Sequence, residues 1–176
     1  MTTEILIYEQ GTLPESLVWQ SLSFMRCEWP RLFAGDGRLR STPFPAAFHL
    51  ACIDGSVLLS YAEIVEATGT RDGQGMRVAG LSNVFTFPPY RGEGHASGIV
   101  EAANSVLDKQ GVEIAILFCE EELMPFYAAR GWTPAPAGTI RSAADFPLAM
   151  VRQASIQAPD LIAELTRAPI DVATTW

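Results

Sequence analysis

Between residues 76 and 118 the sequence changes period twice, and that change fixes a topology. MRVAGLSNVFTF (76–87) reads as a strand, and Pro88 and Pro89 stop it. Ala96, Ile99, Val100, Ala103, Val106 and Leu107 then recur at helical spacing. They predict an amphipathic helix over 94–110, with Gly111 where a C-terminal cap glycine belongs. VEIAILF (112–118) is an almost unbroken apolar run, the pattern of a strand buried on both faces. Strand, helix and strand in this order make a right-handed crossover between parallel strands. The fold class this implies is α/β (α+β): a mixed sheet flanked by helices.

The flanking segments extend the sheet. Ile5 to Tyr8 reads as a short opening strand, and Leu13, Leu17, Leu22, Phe24 and Met25 as an apolar helical segment with Pro14 near its start. FHLACIDGSVLLSYAEIV (48–65) reads as a hairpin turning at Asp54-Gly55. TGTRDGQG (68–75) reads as a glycine-rich loop, and 26–45, with three prolines and two glycines, as a long loop. Gly80 suggests a bulge or a close backbone approach. A shorter helix is expected over 122–132, closing strands near 137–141 and 146–152, and a helical turn over 160–167. Residues 1–152 read as one domain, and 153–176 as a C-terminal tail packing on that domain or on the partner subunit of a homodimer.

Composition narrows the function classes. The 176 residues carry a formal net charge of −8, which repels nucleic-acid phosphates and anionic membranes and attracts cationic small molecules. Neither a signal peptide nor a membrane-spanning run is legible. Three scattered cysteines, Cys27, Cys52 and Cys119, offer neither a disulfide framework nor zinc spacing, and fit a reducing, cytoplasmic setting. His49 and His95 are too few and too distant in sequence to suggest a metal site.

FPPYRGEGHASGIV (87–100) carries the most chemistry. A strand that runs through a glycine turn into a helix presents free backbone N–H groups and the positive end of the helix dipole, an anion site. Gly92 and Gly94 let the backbone approach an anion, and Arg91 adds positive charge. Neither a Walker A loop nor a G-x-G-x-x-G fingerprint is present.

Arg91-Gly92-Glu93-Gly94-His95-Ala96, preceded by Pro88-x-Tyr90, resembles the coenzyme A pyrophosphate loop (R-x-x-G-x-G/A) of the GNAT N-acetyltransferases. Tyr127-Ala128-Ala129-Arg130-Gly131-Trp132 resembles that family's Y-x-x-x-G-F, with Trp for Phe. HLACIDGSVLLSYAEIV, YRGEGHAS and YAARGWTP, with a terminal tryptophan, are loosely similar to the aminoglycoside 2′-N-acetyltransferase group. The resemblance implies fourth and fifth strands, 76–87 and 112–118, that splay to admit pantetheine. Backbone groups of Val84, Phe85, Thr86 and Phe87 would hold it, and amides of Arg91, Gly92, Glu93, Gly94, His95 and Ala96 would hold the pyrophosphate. The cosubstrate would be acetyl-CoA, with no metal, and the acceptor a primary amine of a small cationic molecule attacking directly in a ternary complex.

Tyr127 would protonate the leaving thiolate. Glu63, on a strand face with Val57, Leu59, Tyr61 and Val65, is a candidate base, because burial there would raise its pKa. Glu120 and the carboxylate of Trp176 are other candidates. Glu28, Asp36 and Glu66 could supply acceptor-site charge, in a pocket built from 26–45, 68–75 and the tail. The family's asparagine seven residues before the tyrosine is Glu120 here, and the fourth strand offers Ser82 and Asn83 but no carboxylate. These departures fit an alternative, a non-catalytic acyl-CoA-binding or protein-interaction module on the same fold.

Overall fold

The computed structural model describes residues 2–34, 46–142, 148–153 and 160–172. Along the chain these form β1 (Thr3–Glu9), α1 (Glu15–Glu28), β2 (Phe48–Asp54), β3 (Val57–Arg71), β4 (Gln74–Thr86), α2 (His95–Gln110), β5 (Ile114–Cys119), α3 (Met124–Ala128), β6 (Thr133–Pro134), β7 (Ile140–Arg141), β8 (Leu148–Gln153), α4 (Leu161–Arg167) and β9 (Ile170–Val172). The strands join in a mixed sheet of order β1-β2-β3-β4-β5-β8-β6, with β9 paired to β3 and β7. β4 and β5 run parallel, as the crossover through α2 requires. Two compact units make up the chain: Met1–Ile64 with Asn83–Ala103, and Val65–Ser82 with Asn104–Trp176.

In the first unit β1, β2 and the first half of β3 form an antiparallel ladder, with Ile5 opposite Cys52 and His49 opposite Glu63. Pro14 precedes α1, and Trp29-Pro30 ends it, because proline cannot donate the next helical hydrogen bond. A single tight turn, Pro30–Phe33, follows. The apolar stripe of α1 (Leu17, Leu22, Phe24, Met25) packs with Ala51, Ile53, Leu58, Tyr61 and Phe85. Fully burying a side chain such as Leu22 stabilises the fold by about 1.5–3 kcal/mol. Phe24 stacks on Phe85 with ring centroids 4.1 Å apart. A Cβ at Gly98 of α2 would lie 3.0 Å from Ile5 Cδ1, so a small residue there lets the helix sit close to β1.

The β2–β3 turn differs from the sequence expectation. Asp54 pairs with Val57, so the two-residue loop is Gly55-Ser56, and Gly55 has φ 60°. Glycine first in the loop is the type II′ pattern. The type I′ pattern lies one hairpin later. Asp72 (φ 50°) and Gly73 (φ 76°) join β3 to β4, so most of 68–75, expected to be loop, is strand. Thr68 and Thr70 alternate with Ala67 and Gly69 there, and a glycine count obscured that period.

In the second unit Val78, Ala79 and Gly80 of β4 pair with Ile114, Ala115 and Ile116 of β5. Gly80 is thus a ladder residue on the side of β4 that faces β5. Val78, Ile114, Ile116, Val151, Leu165, Ile170 and Val172 form the core. Asp160 caps α4, its Oδ1 accepting from the N–H of Ile162 and Ala163 at 3.1 and 3.4 Å. β9 places Val172 opposite Gly69 and Asp171 opposite Thr70. The helix expected over 122–132 is shorter: a turn at Glu121–Leu123, then α3 with Pro125 in its first turn.

The close fit around Gly69 gives a stability test. A Cβ there would meet Val78 Cγ2 at 2.8 Å, Ile170 Cγ2 at 3.1 Å and Met76 Cγ at 3.3 Å. Gly69→Val should cost about 1–3 kcal/mol by overpacking, read as a lowered melting temperature by circular dichroism. An unchanged melting temperature would show that β9 does not close over β3.

Candidate active site

The start of α2 is shaped by two residues in left-handed conformation. Gly92 and Gly94 have φ 84° and 86°, a region that L side chains rarely adopt. A Cβ built on either meets no atom within 4 Å, so the space outside the loop is open. The Gly98 N–H donates to the Gly94 carbonyl at 3.1 Å, closing the loop onto the first turn of α2. Arg91 is exposed, and its Nε donates to the Thr86 carbonyl at 3.0 Å. His95 lies between Cys52 Sγ (3.6 Å from Nδ1) and Glu93 Oε2 (3.2 Å from Nε2). The loop's arginine and histidine side chains are therefore held by the protein.

The end of β4 is tied to β3. The Phe87 N–H donates to the Leu59 carbonyl at 3.0 Å, and Ser60 Oγ donates to the Phe85 carbonyl at 2.7 Å. Thr86 Oγ1 donates to Ser60 Oγ at 2.9 Å. Backbone groups alternate between the edges of a strand. With Phe87 directed at β3, Val84 and Thr86 direct theirs to the opposite edge.

Glu63 sits in a polar cluster that crosses β2, β3 and β4. It is fully buried, 0% exposed. Tyr61 Oη donates to its Oε1 at 2.9 Å, and Asn83 Nδ2 donates to its Oε2 at 2.5 Å. His49 Nδ1 lies 2.6 Å from Tyr61 Oη and 3.8 Å from Glu63 Oε1. Because Tyr61 gives its proton to Glu63, the short contact requires His49 to donate from Nδ1, which fixes its tautomer. Burial holds the Tyr61 phenol far above its usual range, and the charge and hydrogen bond of Glu63 push it the same way. Burial also lowers the pKa of His49, so its neutral form is the folded form. Among its expected strand-face companions, Tyr61, Leu59 and Val65 are buried, but Val57 is 43% exposed.

Tyr127 belongs to the second unit, where its position follows from the end of α3. Its carbonyl accepts from the N–H of Arg130 at 2.9 Å and of Trp132 at 3.3 Å, while the Gly131 N–H donates to the Ala128 carbonyl at 3.1 Å. With Gly131 at φ 81°, this is a Schellman cap. The Y-x-x-x-G-W pattern is thus the sequence of a helix stop whose first residue is fixed by its last. Trp132, 2% exposed, anchors the cap, its Nε1 donating to Asn104 Oδ1 at 3.1 Å. Asn104 Nδ2 donates to the Arg130 carbonyl at 2.9 Å. Tyr127 is 6% exposed. Burial raises its pKa well above the usual phenol value, with Cys119 adding to the shift. Cys119 is a buried free thiol whose own pKa is raised by burial and then by Glu120, the opposite of an activated nucleophile.

The remaining described acidic candidates are exposed. Glu28 and Glu120 are exposed, and Glu66 pairs with Arg77 at 3.7 Å on the surface. Asp36 and Trp176 lie outside the described residues. Among those residues no cluster of His, Cys, Asp and Glu is placed to hold a metal ion, and no helix is long and apolar enough to cross a membrane. Sequence reasoning missed His49 and Asn83 as partners of Glu63. The available signal was polar residues at alternating positions of otherwise apolar strands.

A mixed sheet with a parallel crossover, a glycine loop before the crossover helix and a tyrosine helix closed by a glycine cap are the features by which the fold is recognised. The family model described as an acetyltransferase (GNAT) domain matches residues 33–135. The chain belongs to the GNAT acetyltransferase family. Among solved structures it is similar to Escherichia coli ElaA, at 14% identity and a TM-score of 0.65, over 86% of this chain and 100% of that one. It is also similar to an acyl-CoA N-acyltransferase from Pseudomonas aeruginosa, at 13% identity and 0.62, over 86% and 99%. A third similar structure is an Enterococcus faecalis protein described as a probable N-acyltransferase, at 18% identity and 0.59, over 76% of this chain. The matched region is 33%, about a third, of that longer protein. No curated protein matches the sequence.

The depressed His49 pKa has a stability consequence with a definite sign. The folded state keeps His49 neutral, whereas the unfolded chain takes up a proton near the ordinary value of 6.5. The stability His49 contributes is therefore present above pH 6.5 and is lost as pH falls from there towards the folded pKa. Urea unfolding between pH 7.5 and pH 5, roughly the span over which histidine titrates, should show a smaller acid loss for His49→Gln than for wild type. Parallel curves for the two proteins would contradict the assignment.

Proposed function

We propose that the protein is an acetyl-CoA-dependent N-acetyltransferase acting on a primary amine of a small cationic molecule. The observation that carries this reading is the loop between β4 and α2. Two left-handed glycines, open space outside them and the N-terminal end of the α2 dipole form a cradle suited to a pyrophosphate. Membership of the GNAT family, which generally uses acetyl-CoA, supports reading that anion as part of coenzyme A. Pantetheine would follow the Val84–Phe87 backbone, where Val84 and the Thr86 N–H offer the outward-facing groups and the Thr86 carbonyl is taken by Arg91. The N–H groups there would also hold the oxyanion as it develops, a large electrostatic contribution in acyl transfer.

In the reaction the amine nitrogen attacks the thioester carbonyl, a C–N bond forms and the C–S bond breaks. The amine proton leaves to a base or water, and coenzyme A departs as a thiolate that must gain a proton. Tyr127 is the proposed donor. Its raised pKa keeps it protonated throughout the physiological range, so the acid form is always present. Glu63 enters as a buried carboxyl that accepts from Tyr61 and Asn83. The charge of −8 favours a basic acceptor.

Two experiments test this reading. Gly92→Val and Gly94→Val force a β-branched residue into a left-handed backbone, and calorimetry should show coenzyme A affinity reduced by about tenfold or more for each. Equal affinities in the wild type and both variants would remove the loop from the site. Tyr127→Phe should lower kcat by roughly 100-fold or more with little change in affinity for acetyl-CoA, because the phenol acts only as charge leaves on sulfur. Equal turnover with a spermidine acceptor would leave Tyr127 as a packing residue.

A further inference from the structure

β4 contains one residue whose backbone does not belong in a strand. Asn83 has φ 50°, and apart from Asp72 in the hairpin turn it is the only described non-glycine residue with positive φ. Asparagine tolerates this region better than most residues, but it adopts it inside a strand only when its surroundings hold it there. The holding contact is the hydrogen bond from Asn83 Nδ2 to Glu63 Oε2 at 2.5 Å. Glu63 is fixed in turn by Tyr61 Oη at 2.9 Å, and Tyr61 by His49 Nδ1 at 2.6 Å.

The position gives the kink its meaning. β4 pairs with β5 at Val78, Ala79 and Gly80, and Asn83 follows three residues later. Val84, whose outward N–H and C=O belong to the proposed pantetheine edge, comes next. A left-handed residue breaks the regular alternation of N–H and C=O, so it re-aims the groups that follow. Glu63 itself does not present an oxygen to an acceptor. It is 0% exposed, and both of its oxygens accept hydrogen bonds from the protein.

We propose that Glu63 is a positioning residue: its carboxylate clamps Asn83 in the left-handed conformation that aims the Val84–Phe87 backbone at the acyl donor. His49 and Tyr61 hold the clamp. The inference rests on the acetyltransferase reading and assigns a role inside it.

The test is a double-variant cycle of Glu63→Gln, Asn83→Ala, Asn83→Gly and Glu63→Gln/Asn83→Gly. Each protein is read for kcat and for KM of acetyl-CoA with spermidine as acceptor, for its pH–rate profile, and for coenzyme A affinity by calorimetry. Glu63→Gln should lower kcat about tenfold, the effect of weakening one charge-assisted hydrogen bond, and leave the acidic limb of the profile where it is in wild type. Asn83→Ala should lose at least as much. Asn83→Gly, which adopts positive φ freely, should lose less than about threefold, and adding Glu63→Gln to it should cost less than about twofold.

An equal cost of Glu63→Gln in both backgrounds would show that Glu63 does not act through Asn83. Loss of the acidic limb in Glu63→Gln would make Glu63 the proton acceptor and overturn the proposal. A wild type that binds coenzyme A but acetylates no amine would overturn the transferase reading alone. The same cycle in coenzyme A affinity would then decide the clamp. A wild type that binds no coenzyme A would overturn both.

Discussion

A carboxylate with no exposed surface must be satisfied by the protein, and Glu63 imposes that requirement at the middle of the sheet. Its partners come from three strands: His49 through Tyr61 from β2 and β3, and Asn83 from β4. Removing any one of them would strand part of the cluster in an apolar surround of Phe24, Ala51 and Phe85. A network of this kind stabilises little against a hydrophobic alternative, but it permits one register. His49 must face Glu63, and Asn83 must turn towards it. The register then fixes where β4 kinks, and with it the direction of the backbone leading to α2.

The same logic of few permitted backbones recurs at two helix ends. Gly92 and Gly94 admit the left-handed turns that lead into α2, and Gly131 admits the cap that fixes Tyr127 through its own carbonyl. In both places a short motif describes a conformation before it describes a ligand. This is why such motifs can be read with some security from one sequence. A glycine at positive φ is a backbone requirement, and few other residues can meet it.

What was legible followed from local physics. The crossover of β4, α2 and β5 was readable because period, proline stops and apolar continuity all agreed over 76–118. The loop at Arg91–Ala96 and the cap at Tyr127–Trp132 were readable for the reason just given. Elements decided by pairing were not. β9 has only three residues, and its identity comes from β3 and β7 beside it rather than from its own composition. The β3–β4 hairpin carries four glycines between residues 69 and 80, which mimicked a loop because the antiparallel pairing that stabilises it lies outside the window being read. The Glu63 cluster was half legible. Tyr61 and Glu63 share a face by strict alternation, but His49 and Asn83 reach it only through cross-strand register and a backbone kink, neither of which a single strand encodes.

The central claim is that the start of α2 and the last residues of β4 bind coenzyme A through their backbone. Its most direct test is a coenzyme A titration followed by amide chemical shifts in a 15N-labelled sample. The account expects saturable shifts concentrated at Val84–Thr86 and Gly92–Ser97, with small changes elsewhere in the first unit. Saturable binding that leaves both segments unmoved, or shifts confined to surface arginines of the second unit such as Arg77 and Arg141, would contradict it.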